Sequence, residues 1–255
     1  MFINNFDPVA LQIFSIEIRW YSLAYIGGIV LGWFFGKKFL SNNRELKEKF
    51  DDYITYVIIG IIVGGRLGYV IFYNFSYYLN NSLEIIKIWE GGMSFHGGLL
   101  GVIVASFIFA KKNNHNPFQY LDIVSIVAPI GIFFGRISNF INSELYGIET
   151  DLPWGVKFIQ VDNLYRHPSQ LYEALLEGIL LFLILILIYS KTKYKTGMCS
   201  FIFLILYGAF RIFSEFFREP DLQIGYLFGP ITMGIMLSVV MIVSGFFLII
   251  KKNDR

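Results

Sequence analysis

The sequence predicts an all-α integral membrane protein: a bundle of seven transmembrane helices with a small extracytoplasmic cap. Hydrophobic residues make up 55% of the 255 residues and charged residues only 16%, and the mean hydropathy is +0.58. This composition favours lipid over water as the solvent. A bilayer core of about 30 Å needs about 20 mainly apolar residues per helix. Seven stretches meet this requirement, with approximate limits 19–36, 53–74, 93–110, 119–139, 171–190, 198–216 and 229–250.

The segment before the first span has no basic start, and Asp7 and Pro8 precede a patchy apolar stretch. It is therefore not expected to be a cleaved signal peptide. Because it is too short and interrupted to span a bilayer, we expect it to lie along the membrane surface.

Basic residues predict the orientation of the spans, because Lys and Arg are retained on the cytoplasmic side. Of the 21 basic residues, thirteen fall on one set of alternate loops, four on the other, and four within or at the edge of spans. The N-terminus is expected outside and the C-terminus inside. Residues 1–255 are expected to form a single transmembrane domain. The stretch 140–170, which contains the sequence WGVKFIQ, should form an extracytoplasmic loop or cap with some strand.

Composition also excludes several classes of protein. A net charge of +2 does not indicate nucleic-acid binding. The single cysteine, Cys199, excludes an internal disulfide framework and a cysteine-rich metal site. The predicted topology places His115 on the inner side, which leaves His96 and His167 without a third nitrogen or sulfur ligand, so no metal is expected.

Charged residues within the spans need an explanation, because each costs at least ~2.5 kcal/mol at membrane depth. The predicted topology places Arg66, Arg136, Arg211 and Glu215 in the outer half of the bilayer. Other polar residues fall at the same level and predict a polar site at the outer leaflet: Arg19, Tyr21, His96, His167, Gln170, Glu173 and Arg218.

Structural roles compete with functional ones for some of these residues. Arg211 and Glu215 are four residues apart on one helix, and their pairing is interpreted as structural rather than catalytic. Arg66 could satisfy carbonyl groups at a helix end. His96 lies where a helix begins, and a capping or packing role there is as common as a functional one.

The run from Gly135 to Gly147 is more informative. A helical spacing of three places Arg136, Asn139 and Asn142 on one face. A guanidinium and two carboxamides form a donor-rich surface that suits a phosphate and the hydroxyls of a head group. An interhelical hydrogen-bond cluster explains the same spacing equally well. Gly147 is expected to end the helix.

Several segments resemble the prolipoprotein diacylglyceryl transferases, in the family's order. The stretches at 91–101 and 135–147 resemble the family's histidine-glycine motif and its signature: GGMSFHGGLLG and GRISNFINSELYG. Four further segments are similar to others of the family: WYSLAY at 20–25, GGRLGYVIFYN at 64–74, RHPSQLYEALLEG at 166–178 and YGAFRIFSEFFREPD at 207–221.

The resemblance implies a seven-helix enzyme of the bacterial cytoplasmic (inner) membrane. Its lipid donor would be phosphatidylglycerol, and its acceptor the lipobox cysteine in the signal peptide of a prolipoprotein. Matching positions are carried over from the family: the motif histidine is His96, the signature contributes Arg136, Asn139, Glu144 and Gly147, Tyr21 matches the tyrosine of the first span, and Arg218 the arginine before Pro220.

The chemistry of the implied reaction suggests roles for these residues. A thiolate must attack a glycerol carbon while glycerol phosphate leaves, so His96 is interpreted as the base for the thiol. Arg136 and Arg218 would hold the leaving phosphate. Tyr21, Asn139, Asn142, Glu144 and Gly147 would form the rest of the substrate site. No cofactor is expected, because the phospholipid contains its own leaving group and the chain lacks a Walker-type loop.

Two other classes remain as alternatives. A small lipid or solute transporter would also contain buried arginines and Gly-rich helices, but it predicts polar residues through both leaflets, and here the inner half lacks them. An intramembrane protease would need a catalytic dyad at one depth, and the predicted topology places Asp122 and Asp221 toward opposite sides.

Overall fold

The computed structural model describes residues 2–40, 43–191, 195–220 and 225–253. Asp221 lies outside these residues, as do Lys193 and Arg255 among the basic residues counted for the orientation. The chain divides into two compact units, and each is described by itself. The first unit comprises Met1–Gly36 and Val124–Arg255, and the second comprises Lys37–Ile123.

Within the described residues, six helices are long and apolar enough to cross a membrane. The chain is therefore an integral membrane protein dominated by helices. The spans that qualify are Arg44–Phe72, Phe95–Asn113, Pro117–Ile141, Ser169–Tyr189, Met198–Glu215 and Met233–Lys252.

The first predicted span is also helical, as α1 (Trp20–Phe39), but it is not among these six. Its glycine, tyrosine and tryptophan residues lower its hydropathy relative to the aliphatic helices. In the first unit, α1 packs closely on a later helix, because a Cβ added at Gly28 would lie 2.8 Å from the Cα of Gly131. Glycine lets the two helix backbones approach this closely because it has no side chain.

The second unit contains α2 (Arg44–Phe72), α3 (Phe75–Asn80), two 3₁₀ turns (Ser82–Ile86 and Ile88–Glu90) and α4 (Phe95–Asn113). Helix α2 begins at Arg44 rather than at residue 53, because the side chain of Asn43 caps it by accepting a hydrogen bond from the Leu46 amide at 3.2 Å. Helix α5 (Pro117–Ile141) begins in this unit and continues into the first.

Glycines bring α2 and α4 into backbone contact. A Cβ at Gly60 would lie 2.6 Å from the carbonyl oxygen of Gly101, and a Cβ at Gly68 would lie 2.7 Å from the Cα of Gly97. Real Cβ atoms do not approach this closely, so a side chain at either glycine would clash with the neighbouring helix.

Gly101→Ala is expected to destabilise the protein, because its methyl group would overlap the Gly60 carbonyl and force the two helices apart. An overpacked contact of this kind costs about 1–3 kcal/mol. Gly131→Ala is the matched control, since nothing lies within 4 Å of a Cβ at that position. Thermal unfolding in detergent should show a lower midpoint for Gly101→Ala alone. Equal midpoints for the two variants would contradict the packing argument.

The remaining helices of the first unit form three membrane spans. The fifth predicted span comprises α6 (Ser169–Glu173), a π-helical stretch (Ala174–Leu180, the π segment) and α7 (Leu181–Tyr189). Helices α8 (Met198–Glu215) and α9 (Met233–Asn253) follow, and the short hairpin β6–β7 (Tyr226–Phe228 and Ile231–Thr232) leads into α9.

Strands occur near the N-terminus and in the stretch predicted as a cap. Strand β1 (Phe2–Asn4) pairs in parallel with β4 (Val156–Phe158), which pairs antiparallel with β5 (Tyr165–Arg166). The strand expected within WGVKFIQ is therefore confirmed. The N-terminal segment also contains a hairpin, β2–β3 (Val9–Ile13 and Ile16–Arg19), directly before α1.

Candidate active site

Six charged side chains of the first unit form one buried charge cluster. They come from the end of α5, from α6 and the π segment, and from the end of α8 and the third residue beyond it. Every member makes at least one ion pair with another member. The cluster consists of Arg136, Glu173, Glu177, Arg211, Glu215 and Arg218.

Glu173 is the centre of the charge cluster. Its side chain is fully buried, and its carboxylate meets three guanidinium groups. Oε2 lies 2.9 Å from the Nε atom of Arg136, and Oε1 accepts hydrogen bonds from Arg211 and, at 3.5 Å, from Arg218. A buried carboxylate is stable only when such partners offset the loss of its hydration.

Glu177 lies one turn after Glu173, in the π segment, and is also fully buried. Its Oε2 atom accepts a hydrogen bond of 3.1 Å from Nη2 of Arg136. The close approach of the π segment to α5 depends on Gly178, because a Cβ there would lie 2.7 Å from the Cβ of Phe133. Single π-helical turns within α-helices often occur at functional sites.

Arg211 and Glu215 form the intrahelical pair expected from their spacing, with Nη2 and Oε2 2.6 Å apart. That prediction is confirmed, but it was incomplete, since Arg211 also pairs with Glu173. Glu215 accepts a hydrogen bond of 2.7 Å from the Thr232 hydroxyl. A Cβ at Gly234 would lie 2.8 Å from the Glu215 carboxylate, so this glycine leaves room for it.

The signature stretch turns sharply just beyond the cluster. Asn139 donates to the Glu144 carboxylate at 3.1 Å, and Asn142 donates to it at 3.3 Å. Gln170 donates to the Glu144 backbone carbonyl at 2.6 Å. The structure thus brings Asn139, Asn142 and Glu144 together, as expected for one site, although Asn142 lies one residue beyond the end of α5 at Ile141.

The prediction that Gly147 ends the helix is wrong. Helix α5 ends at Ile141, and Ser143 and Leu145 then adopt positive φ angles of 58° and 55°. Gly147 instead forms an isolated β-bridge with Arg218. A Cβ at Gly147 would overlap the carbonyl oxygens of His167 and Phe217, so close backbone packing explains the glycine.

Arg166 fastens this turn to the residues after α8. Its Nη1 atom donates to the Gly147 carbonyl at 3.1 Å and to the Glu219 carboxylate at 3.2 Å. Its Nη2 atom donates to Asp162 at 2.6 Å, and this hydrogen bond lowers the pKa of Asp162 and raises the pKa of Arg166. Arg166 therefore positions the backbone that carries Arg218.

Tyr21 lies in the first turn of α1, and its ring is 5.2 Å from that of Tyr25. The hydroxyl of Ser138 donates to the Trp20 carbonyl at 3.3 Å, which joins the start of α1 to the end of α5. Tyr21 therefore follows a residue that is held against the end of α5.

His96 belongs to the second unit, where it is the second residue of α4. Ser94 caps this helix by accepting a hydrogen bond of 3.2 Å from the Gly97 amide. The loop before it is held by Arg66, which donates to the carbonyls of Glu84 at 2.7 Å and Ile85 at 2.8 Å. Arg66 also donates to Gly91 and Gly92. The structural role proposed for Arg66 is confirmed.

No metal site stands out in the described ranges, where no three His, Cys, Asp or Glu side chains form a group that could hold an ion. His167 takes part in a different arrangement: its Nδ1 atom lies 3.0 Å from the Tyr172 hydroxyl, which accepts a hydrogen bond of 2.9 Å from Trp154. Burial lowers the pKa of His167.

Comparison with known proteins identifies the family. A family model described as prolipoprotein diacylglyceryl transferase matches residues 8–251. The chain belongs to this family. Among its relatives is the phosphatidylglycerol–prolipoprotein diacylglyceryl transferase of Rickettsia felis, which is 49% identical over 257 residues and covers 98% of this chain and 98% of the relative. The transferase of the same name from Nitratidesulfovibrio vulgaris is 47% identical, covering 98% of this chain and 95% of the relative.

Membership in the prolipoprotein diacylglyceryl transferases confirms the resemblance drawn from the sequence motifs. It also places the buried cluster within the matched residues. Four cluster members were not assigned to the site by sequence reasoning, which interpreted Arg211 and Glu215 as a structural pair. Glu173 was noted only as a polar residue at the level of the predicted outer-leaflet site, and Glu177 only as part of the family-like segment at 166–178. Both glutamates could have been found from the sequence, because each is an acidic residue within an apolar span. A charge there costs free energy at membrane depth, as it does for the arginines that were singled out.

Proposed function

We propose that the chain transfers the diacylglyceryl group of phosphatidylglycerol to the lipobox cysteine of a prolipoprotein signal peptide. A thioether forms and glycerol phosphate is released, as the first step of lipoprotein maturation. The match of almost the whole chain to transferases of this name carries the proposal. The charge cluster supports it, because three guanidinium groups in a buried site suit a substrate that contains a phosphate.

Arg136 and Arg218 hold the phosphate in this proposal, and Arg211 holds the Glu173 carboxylate that all three guanidinium groups share. Guanidinium groups bind phosphate through paired hydrogen bonds, which are stronger where water is excluded. They also stabilise the charge that develops on the leaving oxygen. Tyr21, Asn139, Asn142, Glu144 and Gly147 form the site for the glycerol head group.

The transfer breaks the bond between a glycerol carbon and a phosphate oxygen and forms a carbon–sulfur bond. The electron pair of the broken bond remains on the phosphate. The thiol proton must be removed for attack, because the thiolate is the reactive form. His96 is the proposed acceptor of this proton.

The protein is proposed to be a multi-pass protein of the bacterial cytoplasmic membrane. Helix α1 serves as the seventh span, with the N-terminus outside and the C-terminus in the cytoplasm. The distribution of basic residues supports this orientation, because a pair of lysines lies in the last turn of each of three helices. These pairs are Lys37 and Lys38 in α1, Lys111 and Lys112 in α4, and Lys251 and Lys252 in α9.

Mass spectrometry of a reconstituted reaction tests the function. Purified protein is incubated with phosphatidylglycerol and a lipobox peptide, and the peptide should gain the mass of a diacylglyceryl group on its cysteine. A peptide with serine in place of cysteine, and vesicles of phosphatidylethanolamine alone, are the controls. A wild-type protein that leaves the cysteine peptide unmodified would contradict the proposed function.

His96→Gln tests the base in the same assay. Activity at neutral pH should fall by about 10²-fold or more, since general bases contribute about 10²–10⁴-fold to rates. Raising the pH should restore part of the activity, because solvent then supplies thiolate. Activity equal to wild type at neutral pH would remove His96 from catalysis and leave it as a helix-start residue.

A further inference from the structure

The charge cluster is electrically balanced. It contains three guanidinium groups and three carboxylates, and the carboxylates of Glu173 and Glu177 are fully buried. The inference that follows rests on the proposed function, in which a lipid phosphate binds at Arg136. A phosphodiester adds one negative charge to a site where water does not compensate it. A buried, unbalanced charge is costly, so the cluster must change when the lipid binds.

If the Arg136 side chain turns to the phosphate, the three carboxylates differ in the hydrogen-bond and ion-pair partners that they keep. Glu173 keeps Arg211 as a partner even when Arg218 also binds the phosphate. Glu215 keeps Arg211 and the Thr232 hydroxyl. Glu177 has a hydrogen bond or ion pair only with Arg136 among the residues that the structure describes. It is the carboxylate that loses its partner.

Without Arg136, Glu177 lacks the contacts that would stabilise its ionised form. Its side chain is fully buried, and Oε1 accepts no hydrogen bond from the described residues. The charged and titratable groups that face it are Arg136 from α5, Glu173 one turn earlier, and Tyr207 and Arg211 from α8. Arg211 is already shared by two carboxylates, and Glu173 repels a second negative charge.

We infer that Glu177 takes up a proton when the phosphate of the lipid replaces it on Arg136. The proton comes from solvent, no covalent bond to carbon or phosphorus changes, and the net charge of the occupied site stays at zero. Glu177 is thus a positioning residue with two states. Ionised, it holds Arg136 in the empty site, and protonated, it releases Arg136 to the phosphate.

Binding of phosphatidylglycerol measured as a function of pH tests this coupling. Because binding takes up a proton, the wild-type affinity should rise by about tenfold per pH unit as the pH falls, wherever Glu177 is ionised in the free protein and protonated in the complex. Glu177→Gln mimics the protonated side chain. Its affinity should be independent of pH and equal to the highest wild-type value. Glu48→Gln, outside the cluster and with a side chain that is 64% exposed, should retain the wild-type slope.

Calorimetry of the wild-type protein gives a second measurement that does not depend on the folding of a variant. Titration with phosphatidylglycerol in two buffers of different ionisation enthalpy should report about one proton taken up per lipid bound. No proton uptake, a wild-type affinity independent of pH, or loss of binding in a folded Glu177→Gln protein would each overturn the coupling. Unchanged affinity in Arg136→Lys would instead contradict the phosphate site of the proposed function.

Discussion

Arg136→Lys is expected to lower the rate of diacylglyceryl transfer by about a hundredfold, which corresponds to about 3 kcal/mol in the activation barrier. Lysine keeps the positive charge but not the planar arrangement of donors. Arg136 uses Nε for Glu173 and Nη2 for Glu177, so its orientation is fixed from two sides. An ammonium group cannot hold this orientation and also bind a phosphate through two parallel hydrogen bonds.

Arg44→Lys is the matched control for this variant. Arg44 makes the same kind of contact with a glutamate, Glu48, at 2.8 Å, but its side chain is 92% exposed. The rate should remain within about twofold of wild type, because exposed ion pairs contribute little. Initial rates at saturating peptide and phosphatidylglycerol decide the comparison. An Arg136→Lys rate as high as that of Arg44→Lys would remove Arg136 from phosphate binding.

Glu173→Gln is expected to have the largest effect on stability. The amide has the same shape as the carboxylate but no charge, so Arg136, Arg211 and Arg218 would lose their shared partner. Removing one partner from a buried ion-pair network costs about 3–5 kcal/mol. Unfolding in detergent should therefore occur at a clearly lower temperature, and transfer activity should be lost at temperatures where the wild-type protein is active.

Glu219→Gln provides the comparison for Glu173. Glu219 also pairs with an arginine, Arg166, at 3.2 Å, but its side chain is 41% exposed. Loss of this pair should cost no more than about 1 kcal/mol. Similar unfolding temperatures for the two variants would mean that the cluster contributes far less to stability than its burial indicates.

The helices could be predicted from the sequence because the lipid environment demands long apolar stretches, and only α1 departs from that pattern. The predicted ends of the helices were less accurate. The expected end of α5 at Gly147 failed because two non-glycine residues, Ser143 and Leu145, adopt positive φ angles that no local pattern indicates. Gly147 serves a tertiary contact with Phe217, which is distant in sequence and therefore invisible to local reasoning.

The candidate site was predicted only in part, because its contacts also join residues that are distant in sequence. Arg136, Asn139 and Arg218 stood out as polar residues at helix ends, and the structure places them within or beside one cluster of the first unit. The partners of Arg136 could not be deduced, because the pairing with Glu177 joins residues 41 positions apart. It depends on packing of the π segment against α5 at Gly178.

A structure of the protein with phosphatidylglycerol bound would show where the phosphate lies. The phosphate should lie within about 3 Å of the guanidinium nitrogens of Arg136, the usual distance for such hydrogen bonds. Glu177 should then no longer contact Arg136, while Glu173 should remain paired with Arg211. A phosphate bound elsewhere, with the Arg136–Glu177 pair intact, would contradict this prediction.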